Sequence, residues 1–444
     1  MHIFACSACQ QTVFFESVSC TRCGRPLVYL PDLRIMSALE RHEPGKPPRA
    51  PPLYVALAPL AKGRLYRACR NGIEYAACNW TVPASEPHAY CKGCRLTSVM
   101  PDLDRREALE RWHKLEQAKR RLLYTLDQLD LPIESRAERP KNGLAFVFLS
   151  QGDLGREMVM TGHANGMVTI NVNEADDPYR EQVRKEMGEA YRTLLGHVRH
   201  EVGHYYWDRL VRDSPWHLPF RALFGDERAD YARSAARHYA RGAPSDWQLT
   251  HVSAYATMHP WEDWAETWSH YLHMVDTLDT ARAYDLTLQP RPTGGEPGFE
   301  VHARAMEFQD FPGVIGGWVT LTMALNSLNR SMGLADPYPF ILSERAITKL
   351  RFVHDVIGNW RAQQIDGVIS RWPTWVEVPA PFVELPEPKQ PADDDSLGAR
   401  DTVPELRVSL IGGRDTLLDA DAEGSCRLDP QVEASAAAAS KSDR

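Results

Sequence analysis

Between residues 100 and 180, apolar and polar positions recur with periods that distinguish helix from strand. In residues 104–129 the apolar positions return every three or four residues, which predicts an amphipathic helix. A short apolar run at residues 143–149, bounded by turn-forming residues, predicts a buried strand. Two more strands are predicted in residues 158–172, on either side of an Asn-Gly turn. This part of the chain is therefore expected to build a small sheet.

The second half of the chain shows helical periodicity almost throughout. Residues 173–178 are expected to end the last strand and to cap a long helix that includes residues 194–207. Further helices are predicted at residues 226–240, 261–278, 313–328 and 343–361. The pattern predicts an α+β fold in which a small mixed sheet precedes a mostly helical half.

Composition narrows the class of protein. With 43% apolar and 25% charged residues, the chain is typical of soluble globular proteins. The formal net charge is −8, yet residues 1–100 carry 12 Lys and Arg against 6 Asp and Glu. The overall acidity argues against a dedicated nucleic-acid-binding protein, while the basic first part leaves a local role open.

No stretch of the sequence predicts a membrane span or a secretion signal. The best candidate span, residues 313–325, is shorter than the ~18 apolar residues that a membrane helix needs. The first residues lack the basic start and long apolar core of a signal peptide. We therefore expect a cytoplasmic protein without membrane contact, in which thiols stay reduced and are available to metals.

The first cluster of cysteines has the spacing of a zinc ribbon. Two Cys-x-x-Cys knuckles are separated by ten residues, and they consist of Cys6, Cys9, Cys20 and Cys23. Short β-hairpins with this arrangement hold one Zn²⁺ in a Cys₄ tetrahedron. Four thiolates leave no open position for water, so such a site is structural.

A second cluster of cysteines is more loosely spaced. It consists of Cys69, Cys78, Cys91 and Cys94, of which only the last two form a Cys-x-x-Cys knuckle. We predict a second structural Cys₄ site, with His88 as a possible substitute ligand. The competing interpretation is that Cys69 and Cys78 are simply buried apolar residues.

Prolines and low-complexity segments suggest where the domains divide. Residues 43–60 contain six prolines and are expected to form an extended connector. From residue 379 the chain becomes Pro-, acidic- and Ala-rich, with the single Cys426 and one possible short strand at residues 406–411. We predict a zinc-ribbon region at 1–100, a main domain at 101–380 and a tail at 381–444, whose composition predicts disorder.

The predicted helix at residues 194–207 carries a motif with chemical meaning. It contains His-Glu-x-x-His, and at this spacing His200 and His204 lie one turn apart on one face, where both can bind one Zn²⁺. Glu201 is placed to act as general base. The alternative is a surface helix with two solvated histidines. Gly203 argues against it, because glycine inside a helix costs about 1 kcal/mol relative to alanine and indicates close backbone approach.

A catalytic zinc needs a third protein ligand, and two downstream stretches offer carboxylates. Glu262 and Glu266 are four residues apart on a predicted helix, so one can bind zinc while the other orients a histidine ligand. Asp226 and Glu227 are the rival third ligands, although helix capping is an alternative role for them.

These motifs resemble a known group of enzymes. The pattern Ser-x-Tyr-x6-Glu-x-x-Ala-Glu, downstream of His-Glu-x-x-His, is similar to that of gluzincin metallopeptidases, including the family of the anthrax lethal factor protease domain. The resemblance implies that Glu262 is the third ligand, that Tyr255 stabilises the oxyanion and that Glu266 supports a histidine ligand. Without the resemblance, Tyr255 could equally be a packed aromatic residue.

Residues 1–380 as a whole resemble bacterial zinc-binding metallopeptidases with an N-terminal zinc-ribbon domain. This resemblance implies a zincin-like domain, one catalytic Zn²⁺ and one or two structural Zn²⁺ ions. The function that follows is hydrolysis of peptide bonds in a peptide or protein substrate, by a zinc-activated water with Glu201 as general base.

A different hypothesis is an adaptor with a catalytically idle zinc centre, whose ribbons bind protein or nucleic acid. Retention of Glu201 argues against it, although the ribbons of an active enzyme could still recruit a partner. His197 is expected to be a polar or packed neighbour of the motif and not a fourth ligand. The other nearby histidines are each expected to be structural, with a transition-state donor among them as the alternative, namely His259, His270 and His273.

Overall fold

The structure is a computed structural model that describes residues 2–42, 51–104, 106–150, 159, 161–187, 189, 191–289, 301–302 and 310–366. The predicted tail, with its possible strand at 406–411 and Cys426, lies outside the described residues, as do residues 43–50 of the predicted connector.

The described strands are Phe4–Ala5 (β1), Thr12–Val13 (β2), Leu27–Leu30 (β3), Ile35–His42 (β4), Leu53–Ala56 (β5), Leu65–Ala68 (β6), Thr81–Pro83 (β7), Thr97–Val99 (β8), Ala145–Leu149 (β9), Gly162–Ala164 (β10), Met167–Asn171 (β11), Thr287–Leu288 (β12) and Val301–His302 (β13). The helices are Arg70–Tyr75 (α1), Arg106–Gln128 (α2), Asp177–Glu186 (α3), Leu194–Tyr206 (α4), His217–Phe224 (α5), Tyr231–Arg241 (α6), Pro260–Ala283 (α7), Phe311–Ser331 (α8) and Glu344–Asp366 (α9). The predicted α+β layout is confirmed, with a β-rich front and a mostly helical second half.

The front of the chain is built from antiparallel strands. β1 and β2 form a small hairpin, and β3 to β7 form a five-stranded antiparallel sheet in sequence order. The expectation that residues 43–60 are a connector is wrong for the part that the structure describes, because β5 pairs with β4 on one side and β6 on the other. The two prolines of residues 51–52 precede this strand, so they remove no hydrogen bond from the ladder.

The second sheet is mixed, as the sequence predicted. Its strand order is β10-β11-β9-β8, in which β11, β9 and β8 run parallel and β10 is antiparallel at one edge. The Asn-Gly turn is confirmed, since Asn165 and Gly166 have φ values of 47° and 84°, as a type I′ turn requires. β10 begins at Gly162, later than expected from the sequence.

Two predicted helix starts are wrong. Residues 173–178 lead into a separate helix, α3, which begins at Asp177 and has Pro178 in its first turn. They do not cap the helix with the His-Glu-x-x-His motif. That helix, α4, starts at Leu194 with Thr193 as its N-cap, whose hydroxyl accepts the Gly196 N–H at 3.0 Å. Similarly, α6 starts at Tyr231, because the Asp230 side chain caps it.

The centre of the helical half is the contact between α4 and α7. Gly203 of α4 lies directly against α7, since a Cβ at this position would be 3.1 Å from both Ala265 Cα and Trp268 Cδ1. The indole of Trp264 donates a hydrogen bond to the Gly203 carbonyl at 2.9 Å. The close backbone approach expected at this glycine is therefore confirmed, and it brings the two helices together where the motif residues lie.

One hydrophobic core runs through both sides of the predicted boundary at residue 100. It includes Trp80 from the front, Leu123 from α2, Phe146 from the second sheet and Trp268 from α7. The division into separate domains stays a prediction. Among the described residues, no helix is both long and apolar enough to cross a membrane.

Candidate metal centres and active site

The first four cysteines converge on one point. The sulfur atoms of Cys6, Cys9, Cys20 and Cys23 all lie within 4.8 Å of one another. The Cys6–Cys23 and Cys9–Cys20 sulfur pairs are 3.8 Å and 3.5 Å apart. A tetrahedral zinc with Zn–S bonds of about 2.3 Å places its sulfurs about 3.8 Å apart, so the donor set fits this metal.

Local hydrogen bonds favour the thiolate form of Cys20, which is the form that a metal needs. The backbone N–H groups of Cys23 and Arg22 lower the pKa of Cys20 to about 6, against the effect of burial. The segment of residues 20–23 thus supplies two of the sulfur ligands together with amide donors to Cys20.

The second cluster of cysteines also comes together. The sulfurs of Cys69, Cys78, Cys91 and Cys94 lie within 4.8 Å of one another. The two widely spaced cysteines therefore join the Cys-x-x-Cys knuckle, and His88 is exposed on the surface outside the cluster. Cys78 and Cys91 accept the backbone N–H of Trp80 and Cys94, respectively, both at 3.4 Å.

The third group with metal-binding geometry combines α4 and α7. His200, His204 and Glu262 each offer one ligand atom, and these atoms lie within 4.8 Å of one another. The Glu262 carboxylate lies 2.9 Å from His200 Nε2 and 3.4 Å from His204 Nε2, and all three residues are buried. Two imidazoles and one carboxylate are the donor set of a catalytic zinc site, so the residues fit this ion.

The electrostatics of this group are unusual for a buried cluster. Burial disfavours charge on His200, but the Glu262 and Glu266 carboxylates raise its pKa well above the usual value. In turn, burial opposes charge on Glu262, while the two histidines hold the pKa of that carboxyl well below its usual value. The site thus favours an ionised carboxylate that a cation can bind.

Glu266 lies behind His200, one turn along α7 from Glu262. Its carboxylate is 2.6 Å from His200 Nδ1 and accepts the Ser253 hydroxyl at 2.5 Å. This contact leaves His200 Nε2 directed at Glu262. The arrangement matches a carboxylate that orients a histidine ligand through its other ring nitrogen.

Asp226 and Glu227, the rival candidates for the third ligand, form ion pairs away from the two histidines. Glu227 forms an ion pair with Arg221, and His217 lies 2.9 Å from it. Asp226 pairs with Arg228 at 2.8 Å. Neither carboxylate belongs to the histidine group, and neither caps α6.

Glu201 is buried, and it lies on the same helix as the two histidines, directly after His200. Its carboxylate is 3.8 Å from His197 Nε2, and His197 Nδ1 lies 3.6 Å from Glu174. Glu174 in turn pairs with Arg192 at 2.6 Å. These contacts to His197 and Arg192 lower the pKa of Glu174 to about 2 in spite of its burial. His197 is therefore a neighbour of the candidate base and not part of the metal-binding group.

Two tyrosines face the group of ligands. Tyr255, in a short 3-10 turn before α7, has its ring centroid 6.0 Å from that of His200. Burial and the charge of Glu262 raise the pKa of Tyr255 well above its usual value, so its hydroxyl stays a proton donor. Tyr231 comes from α6, and its hydroxyl donates to Glu262 at 2.9 Å. Sequence reasoning missed Tyr231, since nothing in the spacing relates it to a residue 31 positions away.

The other histidines that the sequence singled out have structural partners. His259 is the N-cap of α7, where its Nδ1 accepts the Trp261 N–H at 3.1 Å while Nε2 donates to the Ala229 carbonyl at 2.9 Å. His270 is hydrogen-bonded to the Tyr338 hydroxyl at 2.8 Å, and His273 also lies against the Tyr338 ring.

The fold and these sites define the class of protein, namely a zinc-ribbon front followed by a zinc-binding metallopeptidase-like unit. Residues 3–105 match the model of a zinc-ribbon domain, and residues 108–356 match the family described as "Putative zinc-binding metallo-peptidase". The chain belongs to this metallopeptidase family, as the resemblance in its motifs indicated.

Curated relatives extend the similarity over most of the chain. Uncharacterized proteins from Mycobacterium tuberculosis and Mycobacterium bovis are each 41% identical over 364 residues, which cover 81% of this chain and 96% of the relative. No solved structure matches the chain.

Proposed function

We propose that this protein is a zinc-dependent peptidase that hydrolyses peptide bonds. The observation that carries the proposal is the convergence of His200, His204 and Glu262, together with the buried Glu201 on the same helix as the two histidines. Three protein ligands leave one coordination position open, which distinguishes a catalytic zinc site from a closed structural one. An inert structural site would not need a carboxylate base next to it.

Each residue of the site has a proposed role in the reaction. A bound zinc ion would supply Lewis-acid chemistry, lowering the pKa of water from 15.7 to about 7 and polarising a carbonyl group. Glu201 removes the proton from the attacking water and passes it to the leaving amine. The Tyr255 hydroxyl donates a hydrogen bond to the oxyanion that develops on the carbonyl. Glu266 keeps the His200 ring in the orientation that binding requires.

The two cysteine clusters are proposed to bind structural zinc, one ion each. Four thiolates leave no open position for water, so a zinc ion bound there would stabilise the fold and would not take part in catalysis. The full protein would then hold three zinc ions, one of them catalytic.

Peptides or proteins are the proposed substrates. Among the described strands, β10 lies at one of the two edges of the second sheet, and it contacts α4. An edge strand has backbone groups free to pair with an extended peptide, which would lie beside the candidate metal ligands. Partner recruitment by the ribbons and a cytoplasmic location stay predictions.

The test is cleavage of a peptide library by the full-length protein, with products identified by mass spectrometry. Glu201→Gln keeps the shape of the side chain and removes the base, so we expect unchanged zinc content and a loss of at least about 100-fold in rate. Cleavage by Glu201→Gln at the wild-type rate would refute the mechanism. A wild-type protein that binds the third zinc but cleaves nothing would instead favour the adaptor hypothesis.

A further inference from the structure

Tyr231 makes a direct contact with the candidate metal ligand Glu262. It is the first residue of α6, and its hydroxyl donates a hydrogen bond to Glu262 Oε1 at 2.9 Å. The other carboxylate oxygen, Oε2, lies 2.9 Å from His200 Nε2. The two oxygens therefore have different nearest partners, although Oε1 also lies 3.4 Å from His204 Nε2 on α4.

Two contacts fix the position of Tyr231, one at the start of α6 and one with a residue that caps α7. The Asp230 side chain accepts the Arg233 N–H and sets the first turn of α6. His259 packs its ring 5.3 Å from the Tyr231 ring, caps α7 and donates to the Ala229 carbonyl. The start of α6 and the start of α7 are thus tied together within a few residues of the Tyr231–Glu262 contact.

We propose that Tyr231 is a positioning residue for the metal site, whose hydroxyl holds one oxygen of Glu262 so that the other is presented to the ion. This inference rests on the proposed function, since it assumes that Glu262 is a ligand. Without the hydroxyl, the Glu262 carboxylate loses one of the contacts that restrict its rotation, and the ion must restrict that rotation when it binds. Removal of the hydrogen-bond partner of a metal ligand typically lowers the affinity for the metal 10- to 100-fold.

The role differs from that proposed for Tyr255. In the described part of the chain, the Tyr231 hydroxyl is hydrogen-bonded to Glu262, whereas the Tyr255 hydroxyl has no hydrogen bond to this carboxylate. Tyr255 should therefore affect the reaction rate, whereas Tyr231 should affect the binding of the ion itself. A measurement of zinc affinity therefore distinguishes the role of Tyr231 from that of Tyr255, and it requires no knowledge of the substrate.

The experiment counts zinc per chain by elemental analysis, after dialysis of full-length protein against buffers of graded free-zinc concentration. Glu262→Ala sets the level due to the cysteine sites alone, and the increment above it in wild type reports the His₂Glu site. Tyr284→Phe is the matched control, because Tyr284 lies at the C-terminal end of α7, far from Glu262 in its first turn, is 60% exposed and undergoes the same change.

We expect the midpoint for the additional zinc in Tyr231→Phe to move to a 10- to 100-fold higher free-zinc concentration. Tyr284→Phe should follow the wild-type curve, and an unchanged level at the cysteine sites will show that Tyr231→Phe is folded. A Tyr231→Phe curve that coincides with the wild type would overturn the inference and leave the metal site intact. A wild-type curve that never rises above that of Glu262→Ala would overturn both.

Discussion

The contact between α4 and α7 at Gly203 sets the distance between the candidate metal ligands, so enlarging this residue should disturb both stability and metal binding. In Gly203→Ala, the new Cβ would lie 3.1 Å from Ala265 Cα and 3.1 Å from Trp268 Cδ1. One of these neighbours is backbone and the other belongs to a fully buried indole, so neither can move away independently. The two helices must separate by a few tenths of an ångström.

Two effects of this substitution oppose each other. Overpacking a well-packed core typically costs about 1–3 kcal/mol, while replacing glycine by alanine inside a helix gains up to about 1 kcal/mol. We expect a net destabilisation of about 1 kcal/mol, together with weaker zinc binding at the His₂Glu site. The control is Gly358→Ala in α9, where a Cβ would meet nothing within 4 Å. That variant should be more stable than wild type by up to about 1 kcal/mol.

Chemical denaturation of the two zinc-loaded variants measures the free energy of unfolding of each. We expect Gly203→Ala to be less stable than Gly358→Ala by about 2 kcal/mol. Zinc content under limiting free zinc gives the second readout, in which only Gly203→Ala should fall. If Gly203→Ala is stabilised as much as Gly358→Ala, the close approach of the helices does not constrain the site, and the reasoning is refuted.

Three further predictions concern other parts of the structure. Glu266→Ala should weaken zinc binding at the His₂Glu site about 10- to 100-fold in the same dialysis assay, because His200 loses its partner; wild-type affinity would contradict this role. Cys78→Ser should remove one zinc per chain in elemental analysis, and an unchanged count would contradict the second cysteine site. His354 is buried against the Tyr271 hydroxyl, and burial lowers its pKa from 6.5 to about 4. Its neutral form therefore contributes stability that is present above pH 6.5 and is lost as the pH falls towards 4, by at most about 1.4 kcal/mol per pH unit. In urea unfolding, His354→Gln should show a correspondingly shallower loss over this window, and an equal slope would refute the assignment.

The parts of the fold that the sequence predicted are those encoded by local spacing. Residues four apart on a helix share a face whatever lies around them, which is why the pairing of His200 with His204 was predictable. Asn165 and Gly166 tolerate positive φ, so the hairpin turn followed from residue type alone. The close approach at Gly203 was likewise indicated by a residue that is unfavourable in a helix without a packing reason.

The parts that the sequence did not predict depend on contacts between distant elements. Tyr231 reaches Glu262 only because a cap at Asp230 and a capping histidine at position 259 fix the starts of two helices. Glu174 reaches His197 from the turn that follows β11, and no periodicity relates the two positions. The Pro-rich segment was misinterpreted because its strand, β5, is specified by its neighbours in the sheet more than by its own composition.

The second cysteine site is physically continuous with the peptidase-like half. Cys94 is followed by β8, which pairs in parallel with β9 of the second sheet, and the Cys94 thiol lies 3.9 Å from Glu116 of α2. The same Glu116 carboxylate accepts the Thr97 hydroxyl at 2.7 Å and pairs with the buried Lys119 at 2.6 Å. Because α2 also packs against α4, a zinc ion at the cysteines would stabilise the surface on which the His-Glu-x-x-His helix rests. Loss of that ion in Cys78→Ser should therefore lower the stability of the helical half as well as the front, which an independent zinc-ribbon module would not do.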